Sequence, residues 1–186
     1  MSNFFKKCPP AFPPDFPPRR PAFGSAFATT TDQPILNPVA PLTSATTTLL
    51  LPLTGPLNNV VSTGSGLTLQ EPGVYALDYS VSILLAATIG AAGTSVGMDF
   101  TGQLRATNAF GNFIVGGSQS RVADTLALAA AGALEWADVL TSPSLIEITV
   151  PTTISIEVIN STTFTVPLLT GGFIADFASL RATQIA

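Results

Sequence analysis

The stretch V-Y-A-L-D-Y-S-V-S-I-L-L (Val74 to Leu85) sets Val74, Ala76, Asp78 and Ser80 on one side of an extended chain, with Tyr75, Leu77, Tyr79 and Val81 on the other. Alternation with a period of two marks a strand with two unlike faces; a helix would repeat its faces about every 3.6 residues. Just upstream, E-P-G (Glu71 to Gly73) supplies a turn. Working outward, further short apolar and β-branched runs are separated by turn signals. Thr48 to Leu53 and Asn58 to Ser62 precede T-G-S-G, and Leu67 to Leu69 precedes E-P-G. Ser95 to Thr107 alternates Val96, Met98 and Phe100 with Asp99, Thr101 and Gln103. Phe113 to Val115, Thr125 to Ala129, Ala133 to Val139, Leu145 to Val150, Ile154 to Ile159 and Phe173 to Ala182 complete the set. Short strands at intervals of roughly ten residues predict an all-β jelly-roll sandwich over residues 48–186. Ala123 to Leu140 is rich in Ala and Leu, which suits a helix, but Gly132 and the uneven leucine spacing favour two strands around a turn.

At 186 residues the chain can bury one good-sized core. Hydrophobic residues make up 46% and charged residues 10%, against roughly 25% charged in an average soluble domain. With a mean hydropathy of +0.47, a lone chain would expose much apolar surface. A membrane or burial between subunits would cover it. Tyr79 to Met98 is an uncharged run long enough to span a bilayer, but it contains glycines, serines and threonines. Its flanks, Asp78 and Asp99, are acidic where basic anchors belong, so burial between subunits is the expectation and no membrane span is expected. The basic start leads into proline-rich sequence and not into an apolar core segment, so no secretory signal is expected.

Residues 1–31 differ from the rest and are expected to form an arm, joined through a 32–47 linker to the head. Twelve of the sixteen prolines lie at or before Pro56, seven of them between Pro9 and Pro21. Proline fixes φ and lacks a donor, which favours an extended polyproline II path over helix or central strand. F-P-P recurs at Phe12 and Phe16, and Phe23 and Phe27 repeat that spacing. Disordered linkers usually lack aromatics, so these four phenylalanines are expected docking contacts, a loose tail being the competing reading. Lys6, Lys7, Arg19 and Arg20 against Asp15 give the arm +3; three arginines against ten acids give the remainder −7. A basic arm and an acidic body suit binding between neighbouring copies, and the acidic body argues against nucleic acid. Cys8, the only cysteine, has three readings: an interchain disulfide, attachment to a surface, or a free thiol.

L-T-L-Q-E-P-G-V-Y-A-L-D-Y-S-V (Leu67 to Val81), I-S-I-E-V-I-N-S-T (Ile154 to Thr162) and A-S-L-R-A-T-Q-I-A (Ala178 to Ala186) occur in this order. Together, over residues 46–186, they resemble the C-terminal heads of bacterial spore collagen-like exosporium glycoproteins. Those heads are relatives of the tumour-necrosis-factor and complement-globular-head jelly rolls. The resemblance implies a homotrimer at the spore surface, in an exosporium or a spore appendage fibre, with a Pro/Phe leader as tether. It implies as partners either neighbouring trimers or an exosporium anchor protein. The family's Gly-X-Y collagen stalk is missing here, so a compact anchor or a fibre of heads linked by arms fits better than a distant filament. Trimeric jelly rolls bury apolar faces along their axis, which would account for the low charge. Tyr75, Tyr79, Phe173, Ile174 and Phe177 are the candidates for that axis, the core of the single chain being the competing location for each.

The side-chain inventory for catalysis is thin, and an enzyme is not expected. There is no histidine, and one cysteine cannot build a thiolate metal site or a C-x-x-C pair within the chain. No phosphate-binding loop, nucleophile elbow or dinucleotide fingerprint is present, and no cofactor is expected. Glu135 and Asp138 around Trp136 invite a carbohydrate site, against a turn with one buried tryptophan. Glu147 with Glu157 is the other acidic pair. Asp99, Asp124 and Asp138 offer calcium ligands, but nothing in their spacing proposes a site, so no metal is expected. Asn160-Ser161-Thr162 meets the glycosylation pattern.

Overall fold

The computed structural model describes residues 20–38, 43–89, 94–128, 132–164 and 170–186. Thirteen strands and no helix occur among these residues, in two sheets. One sheet has five strands, in the order β10 (Gly132–Ile148), β6 (Gly73–Ile89), β13 (Thr170–Gln184), β1 (Phe23–Pro34) and β3 (Leu53–Asn58). The other runs β12 (Thr163–Phe164), β7 (Thr94–Asn108), β11 (Thr152–Asn160), β5 (Gly66–Leu69) and β4 (Val60–Ser62). In that second sheet β2 (Ala45–Thr48) pairs with β11, while β8 (Gly111–Ile114) and β9 (Ser120–Leu128) pair with β7. Every pairing is antiparallel.

The alternation that opened the sequence becomes the middle of the five-stranded sheet. Tyr75, Leu77, Tyr79, Val81, Ile83 and Leu85 of β6 point into the sandwich and are buried, while Asp78 and Ala86 are exposed. The Tyr75 hydroxyl donates to the Glu71 carbonyl at 2.8 Å, so the ring is buried with its polar end satisfied. Phe100 of β7 joins the two sheets. Its ring centroid lies 4.7 Å from Phe173 in an edge-to-face arrangement and 5.8 Å from Trp136 in a stacked one. Such pairs add about 0.5–1.5 kcal/mol each beyond the area they bury. Where Tyr79 crosses β7 the partner is Gly102, and a Cβ there would sit 2.8 Å from the tyrosine oxygen. The close approach of the sheets at this point therefore needs glycine.

Several expectations are corrected by these elements. The arm was expected to run to residue 31, yet Phe23–Pro34 is a strand between β13 and β3. Gly24, Ala26 and Ala28 face the core while Phe23 and Phe27 face out, so small residues fill the narrow interior here. The 32–47 linker is correspondingly shorter, since β2 starts at Ala45. The single strand expected over Thr48 to Leu53 is instead two strands in different sheets, with Leu49 and Leu51 buried where the chain crosses between them. Gln33 clamps that crossing: its Nε2 donates to the Leu50 carbonyl at 2.8 Å, and its Oε1 accepts from the Leu50 N–H at 2.6 Å. The two strands expected on either side of Pro143 are one, β10, because an edge strand tolerates proline. The uncharged run from Tyr79 to Met98 lies across two strands, and among the described residues no helix is long and apolar enough to cross a membrane.

Candidate functional site: the outer face of the five-stranded sheet

The strand registers line the outward residues of the five-stranded sheet into rows. One row is Leu53, Phe27, Ser179, Ser80 and Thr141; the next is Thr29, Phe177, Ser82 and Val139. On one side follow Ser25, Arg181, Asp78 and Pro143, then Phe23, Thr183, Ala76 and Leu145. On the other side lie Ile174, Leu84 and Ala137. In these five rows the only charged side chains are Arg181 and Asp78, which stand directly opposite each other. They are not in ion-pair contact: among the described residues the ion pairs are Arg105–Glu157 and Arg121–Asp99. The middle of the face is paved with small hydroxyl residues, and its apolar members are well exposed: Leu145 at 61%, Val139 at 50% and Phe177 at 37%. A shallow depression of about 390 Å³ opens between Asp78, Pro143, Leu145, Arg181 and Thr183. The face is broad and shallow; the rows flanking these five add the outward Glu135 and Glu147, which leave it mildly acidic, and no set of proton donors converges on its middle. Its chemistry suits burial against another folded surface.

No known family profile matches the chain, and no curated protein matches it either. Among solved structures, the Eiger tumour necrosis factor of S. frugiperda aligns over 90% of this chain and 94% of its own, at 10% identity and a TM-score of 0.50. The globular domain of zebrafish complement 1qA aligns over 90% of this chain and 98% of its own, at 12% identity and a TM-score of 0.47. Murine APRIL at pH 5.0 aligns over 89% and 100%, at 9% identity and a TM-score of 0.48. The fold is a tumour-necrosis-factor-like jelly roll. At these identities the likeness is one of architecture alone.

The jelly roll places the expected site residues in three different settings. Cys8, Phe12 and Phe16 lie outside the described residues. Phe23 and Phe27, expected in the arm, are part of β1 and stand on the outer face. Tyr75, Tyr79 and Phe173, expected on a three-fold axis, are 0%, 1% and 2% exposed within the single chain. They have no surface left for a partner, so the expected axis loses them and keeps only Ile174 and Phe177. Burial pushes the Tyr79 phenol up to about 12 and raises that of Tyr75, where the Glu71 charge adds to the effect. Val139, Leu145 and Leu84 are members of the face that the sequence reading missed. Both phases of β10 and of the end of β6 are apolar, so alternation alone did not say which phase looks outward.

The other candidate clusters come apart in the jelly roll. Glu135 and Asp138 fall on opposite sides of β10, and the Trp136 ring is spent on Phe100. Glu147 is in the five-stranded sheet, whereas Glu157 is buried in the other sheet. Glu157 pairs with Arg105 and accepts from Gln103 Nε2 at 3.0 Å. Asp99 receives two hydrogen bonds from Arg121, at 2.7 and 2.8 Å, which hold its carboxyl below the usual range. Among the described residues no group of three or more His, Cys, Asp or Glu side chains stands where it could hold a metal ion. Asn160 is fully buried, and its Nδ2 donates to the Leu36 carbonyl and to Asn37 Oδ1, both at 3.1 Å.

Proposed function

We propose that this chain is a non-enzymatic structural subunit of the bacterial spore surface, an exosporium or spore appendage component. Its jelly-roll head associates as a homotrimer through the outer face of the five-stranded sheet. The segment before β1 joins each head to the next one or to an exosporium anchor protein. The observation that carries this reading is the face itself, with twenty outward positions in register and Asp78 and Arg181 the only charged residues among them. A surface of that kind gains by exclusion from water. The spore setting rests on the resemblance at Leu67 to Val81, Ile154 to Thr162 and Ala178 to Ala186. The joining role rests on the basic, phenylalanine-bearing residues before Arg20 set against an acidic body.

The position of β1 fixes where the joining segment is cut in a test. Removing residues 1–31 would take out most of a central strand, so the informative deletion stops at residue 19. Negative-stain microscopy of the full chain is expected to show fibres, and of residues 20–186 discrete trimers. Full-length protein that stays as isolated heads at high concentration would overturn joining between heads and leave anchoring. Phe12→Ala with Phe16→Ala is expected to reproduce the deletion, and unchanged assembly would remove those two rings from the joining role. A glycan- or receptor-binding head at a fibre tip is the alternative. Its aromatic platform would be Trp136, whose ring is engaged inside the head.

A further inference from the structure

The same flank of the sandwich carries the last strand of each sheet. β10 closes the five-stranded sheet and β9 lies beyond β7 in the other; the two pack against each other, and among the described residues no strand pairs with the far side of either. At 17 residues, β10 is about 55 Å of open strand edge. An open edge of that length is a template for pairing with another chain.

The outward amides on this flank are not all available. The Val139 N–H donates to Oδ1 of the residue before it, Asp138, at 2.7 Å. The Thr125 N–H does the same to Asp124 Oδ1, also at 2.7 Å. In an antiparallel strand the N–H groups alternate between the neighbour side and the free side. Val139 finds its acceptor in its own strand, so the odd-numbered amides of β10 face the free side. Pro143 is one of these positions and has no N–H to offer. Between them, the Ser142 hydroxyl donates to the Gly117 carbonyl at 3.0 Å, which ties the loop after β8 to this strand.

We propose that Asp124 and Asp138 are edge guards: each carboxylate occupies an outward amide and, with Pro143, stops this flank from pairing with the same flank of a second copy. The partner excluded is another molecule of this chain, offering the same two edges in antiparallel register. Self-association is thereby confined to other surfaces, and the proposal stands whether or not the outer face forms a trimer.

The test uses the full chain, comparing Asp124→Ala with Asp138→Ala against the conservative pair Asp124→Asn with Asp138→Asn. Light scattering gives the concentration at which mass rises above that of the unaltered protein, and the amide I band reports new intermolecular strands. The alanine pair, which frees two amides, is expected to associate at a concentration about a hundredfold lower, about tenfold for each hydrogen bond to a charged group that is lost. The asparagine pair keeps an acceptor oxygen and is expected to behave as the unaltered chain. No shift in the alanine pair, or an equal shift in both pairs, would overturn the proposal, the second by showing that charge alone keeps the copies apart. A measurement on the unaltered chain needs no variant to fold. Amide exchange at Thr125 and Val139 is expected to be about tenfold slower than at Thr141, an outward position without a guard. Equal rates would mean that the guards do not form.

Discussion

Alkali is predicted to destabilise this head through Tyr79. The phenol is buried at 1% exposure and held at about 12, above the ordinary value of 10.0. Below pH 10 both folded and unfolded chains keep the proton, and the stabilisation is complete. Between pH 10 and 12 the unfolded chain ionises Tyr79 while the folded chain does not. Unfolding then releases a proton, and stability falls as pH rises. Integrated over that window the loss is about 2 kcal/mol, because the folded phenol is itself half-ionised at its upper end. For a urea slope of about 2 kcal/mol per molar, that is a midpoint lower by about 1 M. The assay is urea unfolding at fixed protein concentration at pH 9.5 and pH 12, on the unaltered chain and on Tyr79→Phe. The variant is expected to lose most of the alkaline drop and to retain a smaller part from Tyr75, whose phenol is raised in the same direction. The chain has two tyrosines, so the tyrosinate absorption band of the folded protein reports these two groups alone. The reasoning is refuted if Tyr79→Phe keeps the full drop, or if both phenols ionise near pH 10 while the protein is folded.

Phe100→Ala removes the ring that touches both Phe173 and Trp136 and is expected to cost about 3–5 kcal/mol in chemical denaturation, where a surface change costs under 0.5. Gly66→Ala would place a Cβ 2.1 Å from the Ile154 carbonyl oxygen, so β5 must leave β11; a loss of at least about 2 kcal/mol and faster amide exchange in Leu67 to Leu69 are expected. Expression in a glycosylating host is expected to leave folded Asn160 bare in intact-mass spectra, because its amide nitrogen is buried and committed to Leu36 and Asn37.

What the sequence disclosed depended on how unlike the two phases of each strand are. Val74 to Val81 was legible as a strand because tyrosines alternate with small and charged residues, and the structure keeps that alternation intact. Its orientation was not legible: tyrosine is a plausible interface residue and a plausible core residue, and only the second sheet, with Gly102 making room, decides for the core. Phe23-Gly-Ser-Ala-Phe-Ala misled for the opposite reason. Its large residues face out and its alanines and glycine face in, which reverses the usual size rule, so the strand read as part of an arm. Pro143 read as a break because the edge position of β10 is a property of topology, invisible along the chain. The outer face is assembled from five strands far apart in sequence, so of its members only Ile174 and Phe177 were named in advance for a trimer axis, and Phe23 and Phe27 as docking contacts of an arm.

The account turns on whether the outer face of the five-stranded sheet is where copies meet. Ser82 sits at its middle, in register with Phe177 on one side and Val139 on the other. The most direct test is the solution mass, by light scattering, of Ser82→Arg beside the unaltered chain and beside Val61→Arg, an exposed position on β4 in the other sheet. A buried unpaired arginine costs several kcal/mol in an interface and little on a free surface. The account predicts that the smallest stable particle of the unaltered chain and of Val61→Arg weighs three times the 19.1 kDa of one chain. It predicts that Ser82→Arg stays folded and forms no such three-chain particle. A single-chain mass for the unaltered protein, or an undisturbed trimer with arginine at position 82, would contradict it.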